Sequence, residues 1–298
     1  MKDKIIQDYI KMISSYGSLI YREAENSWKG ISKVHNEPKI VQDYLLSKGK
    51  GVDYLNHTVS KKILDETKYE MKFASVYCHK KPTIQRTVNS KTNCKGSSPG
   101  CELGDLMIVF VLLDKNKSIV HSTAKIMQAK KHDKLDSESQ RCLYESDLDF
   151  EMPKNVVSHS TNKNKLRILP NFNANRHNAL SYLIIRPRSI KTVAIPYHSN
   201  IHNQWGSELK NIMELKTGLS FNPPKDNTSN NWDCIINDLL NIGSGVVKSS
   251  TKRGYGLDYF KDRFNFFFFF PEYKQENESE GMSQLFVFCK DTELSIDN

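Results

Sequence analysis

The sequence has no long apolar run. Its longest, Leu106 to Leu113, is far shorter than the roughly 20 residues that a membrane-spanning helix requires, and so is the run Phe266 to Phe270. The N-terminal stretch MKDKIIQDYIKMISSYG breaks its apolar residues with polar ones every few positions, unlike the apolar segment of a signal peptide. A soluble, cytoplasmic protein with no membrane partner is the expectation. Cysteine is sparse: Cys78, Cys94, Cys101, Cys142, Cys234 and Cys289 are scattered without a dense framework. That excludes a small disulfide scaffold and fits a reducing compartment, so all six are expected as thiols. No CxxC or HxxxH pair occurs among Cys78, His79, Cys94, Cys101, His121, His132 and Cys142, which speaks against a structural zinc centre. The stretch NANRHNAL, with Asn175, His177 and Asn178, lacks a second ligand set and reads as a loop. There is no internal repeat.

What is present is an ordinary globular composition, 38% hydrophobic and 26% charged over 298 residues, enough for a large core. Forty-three Lys and Arg against 34 Asp and Glu leave a net charge of +9, a bias toward polyanionic partners. Apolar residues Ile6, Tyr9, Ile10, Ile13, Tyr16 and Ile20 recur at helical spacing and predict one amphipathic helix over residues 3–26, with Glu23 on its apolar side. Short helices are expected over 38–47 and 58–70, and a strand over 72–85. A loop follows over 89–100. The polar stretch from His132 to Pro153 is expected to hold a short helix or turn. LRILP, ALSYLIIRPR and SIKTVAIP read as strands; WGSELKNIMELKTG and NWDCIINDLLNIGSG read as helices closed by glycine. FNFFFFF and SQLFVFCKD are expected to pair as strands. The fold class expected is α/β (α+β), a mixed central sheet flanked by helices, with residues 1–218 as the core and 219–298 as a β-rich C-terminal extension packed on it, or with both parts as one domain.

The stretch most informative about function is GCELGDLMIVFVLLDKNKSIVHSTAKIMQAKK, Gly100 to Lys131. Two apolar arms surround Asp114-Lys115-Asn116-Lys117, and a two-residue turn at Asn116-Lys117 places Asp105 opposite Gln128. Side chains alternate along a strand, so Lys130 shares the face of Gln128. A slip of one residue sends Asp105 to the other face. An acid beside a neutral amide oxygen suits a divalent metal, with the Ala129 carbonyl as a further oxygen. The Lys130 ammonium is then placed to orient a hydroxide or to stabilise charge developing on a phosphate.

Asp105 on one strand, with Gln128-Ala129-Lys130 on the next, resembles the catalytic signature of the PD-(D/E)xK nuclease superfamily in its Q-x-K form, as in Mrr-like restriction enzymes. The resemblance implies a restriction-endonuclease-like αβββαβ core, with Asp105, Gln128 and Lys130 as catalytic residues and Asp105 and Gln128 as ligands to Mg²⁺ or Mn²⁺. It implies phosphodiester hydrolysis of nucleic acid, with DNA the expected partner, a role in restriction or antiviral defence, and a homodimer as the assembly to expect. Two positions depart from the pattern: Gly104 stands where a proline is usual, and Gln128 where an acid is usual. Either Glu102 or Glu23 would restore the missing metal-binding charge. Lys131 and Lys134 after the strand, and Lys252 and Arg253 within GSGVVKSSTKRGYG, are candidates to contact a nucleic-acid backbone. The competing reading is a non-catalytic nucleic-acid-binding or assembly protein on a nuclease-like core that has lost one carboxylate.

Overall fold

The computed structural model describes residues 2–78, 82–87, 94, 99–131, 137–157, 164–172, 175–187, 189–195, 202–222, 231–246 and 281–292. The chain begins with α1 (Lys2–Ser15) and α2 (Gly17–Ser27), then α3 (Glu37–Leu46), α4 (Gly51–Leu55), a π-helical turn (Asn56–Ser60) and α5 (Lys61–Glu66). The single helix expected over 3–26 is thus two. The break falls at Tyr16, where Gly17 lets α2 pass close to the Lys210 side chain: a Cβ at Gly17 would lie 2.8 Å from Lys210 Cε.

Strand β1 (Tyr69–Val76) and β2 (Thr83–Arg86) replace the one strand expected over 72–85. They belong to different sheets, and Pro82, which has no N–H for a ladder, immediately precedes the second. There follow β3 (Gly100–Glu102), β4 (Leu106–Leu113), β5 (Ile119–Lys130), α6 (Glu138–Glu145), β6 (Asp149–Glu151), α7 (Lys154–Val157), β7 (Leu166–Ile168), α8 (Arg176–Ala179), β8 (Leu180–Ile185), β9 (Ile190–Val193) and β10 (His202–Gln204). The chain continues with α9 (Trp205–Met213), β11 (Leu219–Ser220), α10 (Trp232–Val246) and β12 (Ser283–Asp291). Helix α9 stops before Gly218: Leu215 takes the left-handed conformation at φ 58°, and the Lys216 N–H turns back to the Asn211 carbonyl at 2.8 Å.

The architecture is a mixed α/β sheet of eight strands flanked by helices, in the order β1-β12-β4-β5-β8-β9-β10, with β11 paired to β5; β2, β3, β6 and β7 form a second sheet. Every residue of β4 is buried, as expected of an interior strand covered on both faces. On one face Leu106, Ile108, Phe110 and Leu112 pack with Tyr9 and Ile13 of α1, Ile20 and Ala24 of α2, Tyr44 of α3 and Trp205 of α9. On the other, Met107, Val109 and Val111 pack with Leu143 and Tyr144 of α6, Ile235 and Leu239 of α10, and Ile84 and Phe150 of the small sheet. Buried ion pairs tie this second layer together: Arg86 to Asp147 at 2.5 Å and Arg167 to Asp238 at 2.7 Å.

The division expected at residue 218 is not a division of the sheet. Strand β12 lies between β1 and β4, antiparallel to the first and parallel to the second, so the C-terminal part of the chain supplies an interior strand. Its expected partner, the Phe266 to Phe270 run, lies outside the described residues. The expectation of six thiols is corrected too: Cys94 and Cys142 form a disulfide with Cα atoms 6.1 Å apart, while Cys78, Cys101, Cys234 and Cys289 are free and buried. No helix among the described residues is long and apolar enough to cross a membrane.

Candidate functional site

The hairpin of β4 and β5 pairs Leu106 with Met127 and Ile108 with Lys125, the register that puts Asp105 opposite Gln128. The connection differs from the two-residue turn expected. The Lys117 N–H returns to the Asp114 carbonyl at 2.9 Å, Lys117 adopts φ 62°, and the Asp114 carboxylate caps the N–H groups of Asn116 and Ser118. A register shift between Leu112 and Leu113 then compensates: a bulge at Val120 absorbs one residue and restores the pairing.

Asp105 extends the β4 ladder, its N–H donating to the Met127 carbonyl at 2.9 Å. Its Oδ2 accepts the main-chain N–H of Ala129 at 2.7 Å and the side-chain amide of Gln128. Both residues are only 2% exposed. The Oε1 of Gln128 is buried and has no hydrogen-bond partner among the described residues, an arrangement that costs free energy unless a donor or a cation completes it. Lys130 ends β5 on the face of Gln128, half-buried, and its Nζ donates to Gln140 Oε1 of α6 at 2.8 Å.

Helix α6 forms the roof over this end of the hairpin. Ser137 caps it by accepting the Gln140 N–H, Tyr144 donates to the Leu103 carbonyl at 3.0 Å, and its ring stacks on Tyr182 of β8 at 5.2 Å. Burial pushes the Tyr144 hydroxyl well above its ordinary pKa, and the nearby Tyr182 and Asp105 push the same way, so Tyr144 remains a neutral donor. The departure at Gly104 has a steric cause. A Cβ there would lie 2.6 Å from Ile126 Cγ2 and 3.1 Å from the Tyr144 hydroxyl, which leaves no room for the ring of a proline.

No family model, curated protein or solved structure matches the chain.

The two acids proposed to restore the metal charge are placed differently. Glu102 ends β3 in the small sheet, paired with Thr83, three residues before Asp105. Glu23 lies in the helical layer on the opposite face of the central sheet, beside Ile20 and Ala24, and its carboxylate accepts from Tyr54 at 2.5 Å, Arg22 at 2.7 Å and Asn26 at 3.4 Å. Burial pushes the Glu23 carboxyl up, but these hydrogen bonds outweigh it and hold it below its usual range. Among the described residues there is no group of three His, Cys, Asp or Glu arranged to hold a metal. Lys131 is half-buried, its N–H bonded to Glu37 and its ammonium to the Val34 carbonyl. Lys134, Lys252 and Arg253 lie outside the described residues.

Three neighbours of the hairpin escaped the sequence reading. Gln140 and Tyr144 come from a stretch too polar to assign to a face. Lys125, buried on the opposite face of β5, pairs with Glu208 of α9 at 2.6 Å, and Glu208 also accepts from Thr192, Asn203 and Thr217. A signal for it existed: Lys125 alternates with Met127 and Ala129, which points a cation into an apolar layer.

Proposed function

We propose that the chain is a divalent-metal-dependent nuclease, hydrolysing phosphodiester bonds of DNA, with Asp105, Gln128 and Lys130 as its working residues. The observation that carries this reading is the contact between the Asp105 carboxylate and the Gln128 amide across the hairpin mouth, with Lys130 two residues further along the same face. The residues fit Mg²⁺ or Mn²⁺: a half-turn of the Gln128 amide exchanges Nε2 for the unpartnered Oε1, giving one charged and one neutral oxygen. Mg²⁺ is held by few protein oxygens and keeps several waters. Bound there, it would polarise the scissile phosphate and acidify an attacking water. Asp105 supplies the negative charge, and the Ala129 N–H fixes the orientation of its carboxylate. Lys130 releases Gln140 and turns its ammonium to the charge that builds on the phosphate oxygens.

The test is incubation of plasmid DNA with Mg²⁺ and wild-type protein beside Lys130→Ala and Asp105→Asn variants. The expected result is cleavage by the wild type alone, with parallel RNA and EDTA arms fixing the substrate and the metal requirement. Equal cleavage by all three proteins, or none by the wild type, removes the reading. One observation favours the alternative of a non-catalytic nucleic-acid-binding core: Asp105 is the one carboxylate seen in the contact, and it is almost wholly buried. Under that reading DNA is retained on the protein but never cut.

A further inference from the structure

The connection between α2 and α3, residues 28–36, gathers three lysine ammoniums on its own main chain. Lys33 Nζ donates to the carbonyls of Trp28 at 2.7 Å and Ile31 at 2.9 Å. Lys50 Nζ donates to Gly30 at 2.6 Å, and Lys131 Nζ to Val34 at 2.7 Å. Carbonyl oxygens hold an ammonium in place without cancelling its charge, and each ammonium has three N–H donors, so all three keep donors for a ligand. None of the three has an ion-pair partner among the described residues. Lys29 and Lys48 are exposed beside them, as are Ser32, Val34 and His35. Acids close by include Glu37, engaged with the Lys131 N–H, Asp43, paired with Lys39 at 3.1 Å, and Asp53, whose carboxylate accepts the Gly49 N–H at 2.7 Å.

Crowding like charges on one short loop is unfavourable unless something anionic is there to be met. Burial, with the charge of Lys50 adding to it, lowers the Lys33 pKa to about 8. The loop also has a fixed place: Lys131, which ties it down, directly follows Lys130 on β5. We propose that this loop is the surface that grips the phosphodiester backbone of a nucleic acid, through Lys29, Lys33, Lys50 and Lys131, and presents it at the end of β5. The choice of nucleic acid among polyanions rests on the nuclease reading of Asp105, Gln128 and Lys130.

The experiment is fluorescence anisotropy of a labelled DNA duplex with the whole protein in EDTA, over a series of NaCl concentrations. Each lost phosphate contact lowers the slope of log affinity against log salt by about 0.9. Lys33→Gln with Lys50→Gln is expected to lower it by about 2 and to weaken binding about tenfold or more, whatever the duplex sequence. Lys33→Arg with Lys50→Arg, which keeps both charges, is expected to bind like wild type. Because Lys33 and Lys50 also hold the loop, Lys29→Gln, whose side chain is exposed, provides the independent arm with an expected slope loss of about 1. An unchanged slope in Lys29→Gln, or wild-type binding to phosphatidylserine vesicles in place of the duplex, overturns the proposal. Lysine-dependent binding without Mg²⁺-dependent cleavage removes the nuclease reading and leaves the surface. Cleavage by a protein whose affinity ignores these lysines does the reverse.

Discussion

Lys125 and Glu208 form a buried ion pair, 2.6 Å from nitrogen to oxygen, on the face of β5 opposite Gln128. The strand thus carries charge into both layers of the molecule, and it can do so only because each group is answered. Burial pushes the Glu208 carboxyl up; Lys125 and the hydrogen bonds from Lys125, Thr192 and Asn203 outweigh it and hold it below its ordinary range. Removing one partner strands the other in an apolar layer. Lys125→Met is therefore expected to cost about 3–5 kcal/mol in urea unfolding, and Lys125→Met with Glu208→Leu markedly less than the sum of the single changes. Additive losses would show that the pair is not coupled.

The same pair fixes a pH dependence. A carboxyl whose folded pKa is depressed contributes stability that is complete above its unfolded value, about 4.3, and is lost as pH falls through the folded one. Unfolding free energy measured from pH 7 downward should fall below that point, and Glu208→Gln should show a shallower fall than wild type. Parallel curves for the two proteins would assign the acid sensitivity elsewhere.

Gly104 gives a steric prediction. A methyl group there meets Ile126 Cγ2 at 2.6 Å in a layer without slack, so Gly104→Ala is expected to destabilise by about 1–3 kcal/mol. Removing the opposing branch in Gly104→Ala/Ile126→Ala should return part of that overpacking cost as a favourable coupling, read from urea midpoints of the four proteins of the cycle. No coupling would mean that the position tolerates a side chain.

The disulfide makes a third case. Cys94 and Cys142 are 48 residues apart, a loop whose closure restricts the unfolded chain by about 4 kcal/mol. Reduction, or Cys94→Ser, should lower the urea midpoint accordingly and raise hydrogen exchange across α6, which carries Gln140 over Lys130. An unchanged midpoint and unchanged α6 protection would show that packing alone holds the helix.

Which of these features could be read from the sequence follows from the range of the forces involved. Alternation and turn chemistry are local, so the β4–β5 pairing and the meeting of Asp105 with Gln128 were legible. Even there the connection was misread, because the Asp114 cap and the bulge at Val120 shift the register by compensating amounts. The insertion of β12 between β1 and β4 was not legible: its parallel partner lies 177 positions earlier, and an apolar strand does not name its neighbours. Periodicity placed Glu23 on the apolar side of its helix but could not say which face of the sheet that helix covers. Cysteine spacing carried no signal that Cys94 and Cys142 would meet.

The substitution most informative about the site is Gln128→Glu. Asp105 Oδ2 receives the Gln128 amide and the Ala129 N–H; Gln128→Glu replaces the donor by a second carboxylate in the same buried place. Without a cation the two repel, and one of them is driven to hold a proton above its ordinary pKa. The folded state then binds more protons than the unfolded state, so the variant's stability falls as pH rises through that window, opposite in sign to the Glu208 effect. In EDTA at pH 7 the variant is expected to melt several degrees below wild type. Mg²⁺ or Mn²⁺ places a positive charge between the carboxylates and should raise its melting temperature more than that of wild type, while Asp105→Asn abolishes the metal response in either background. A variant as stable as wild type in EDTA, or one that metal does not rescue, would show that residues 105 and 128 do not share a cation.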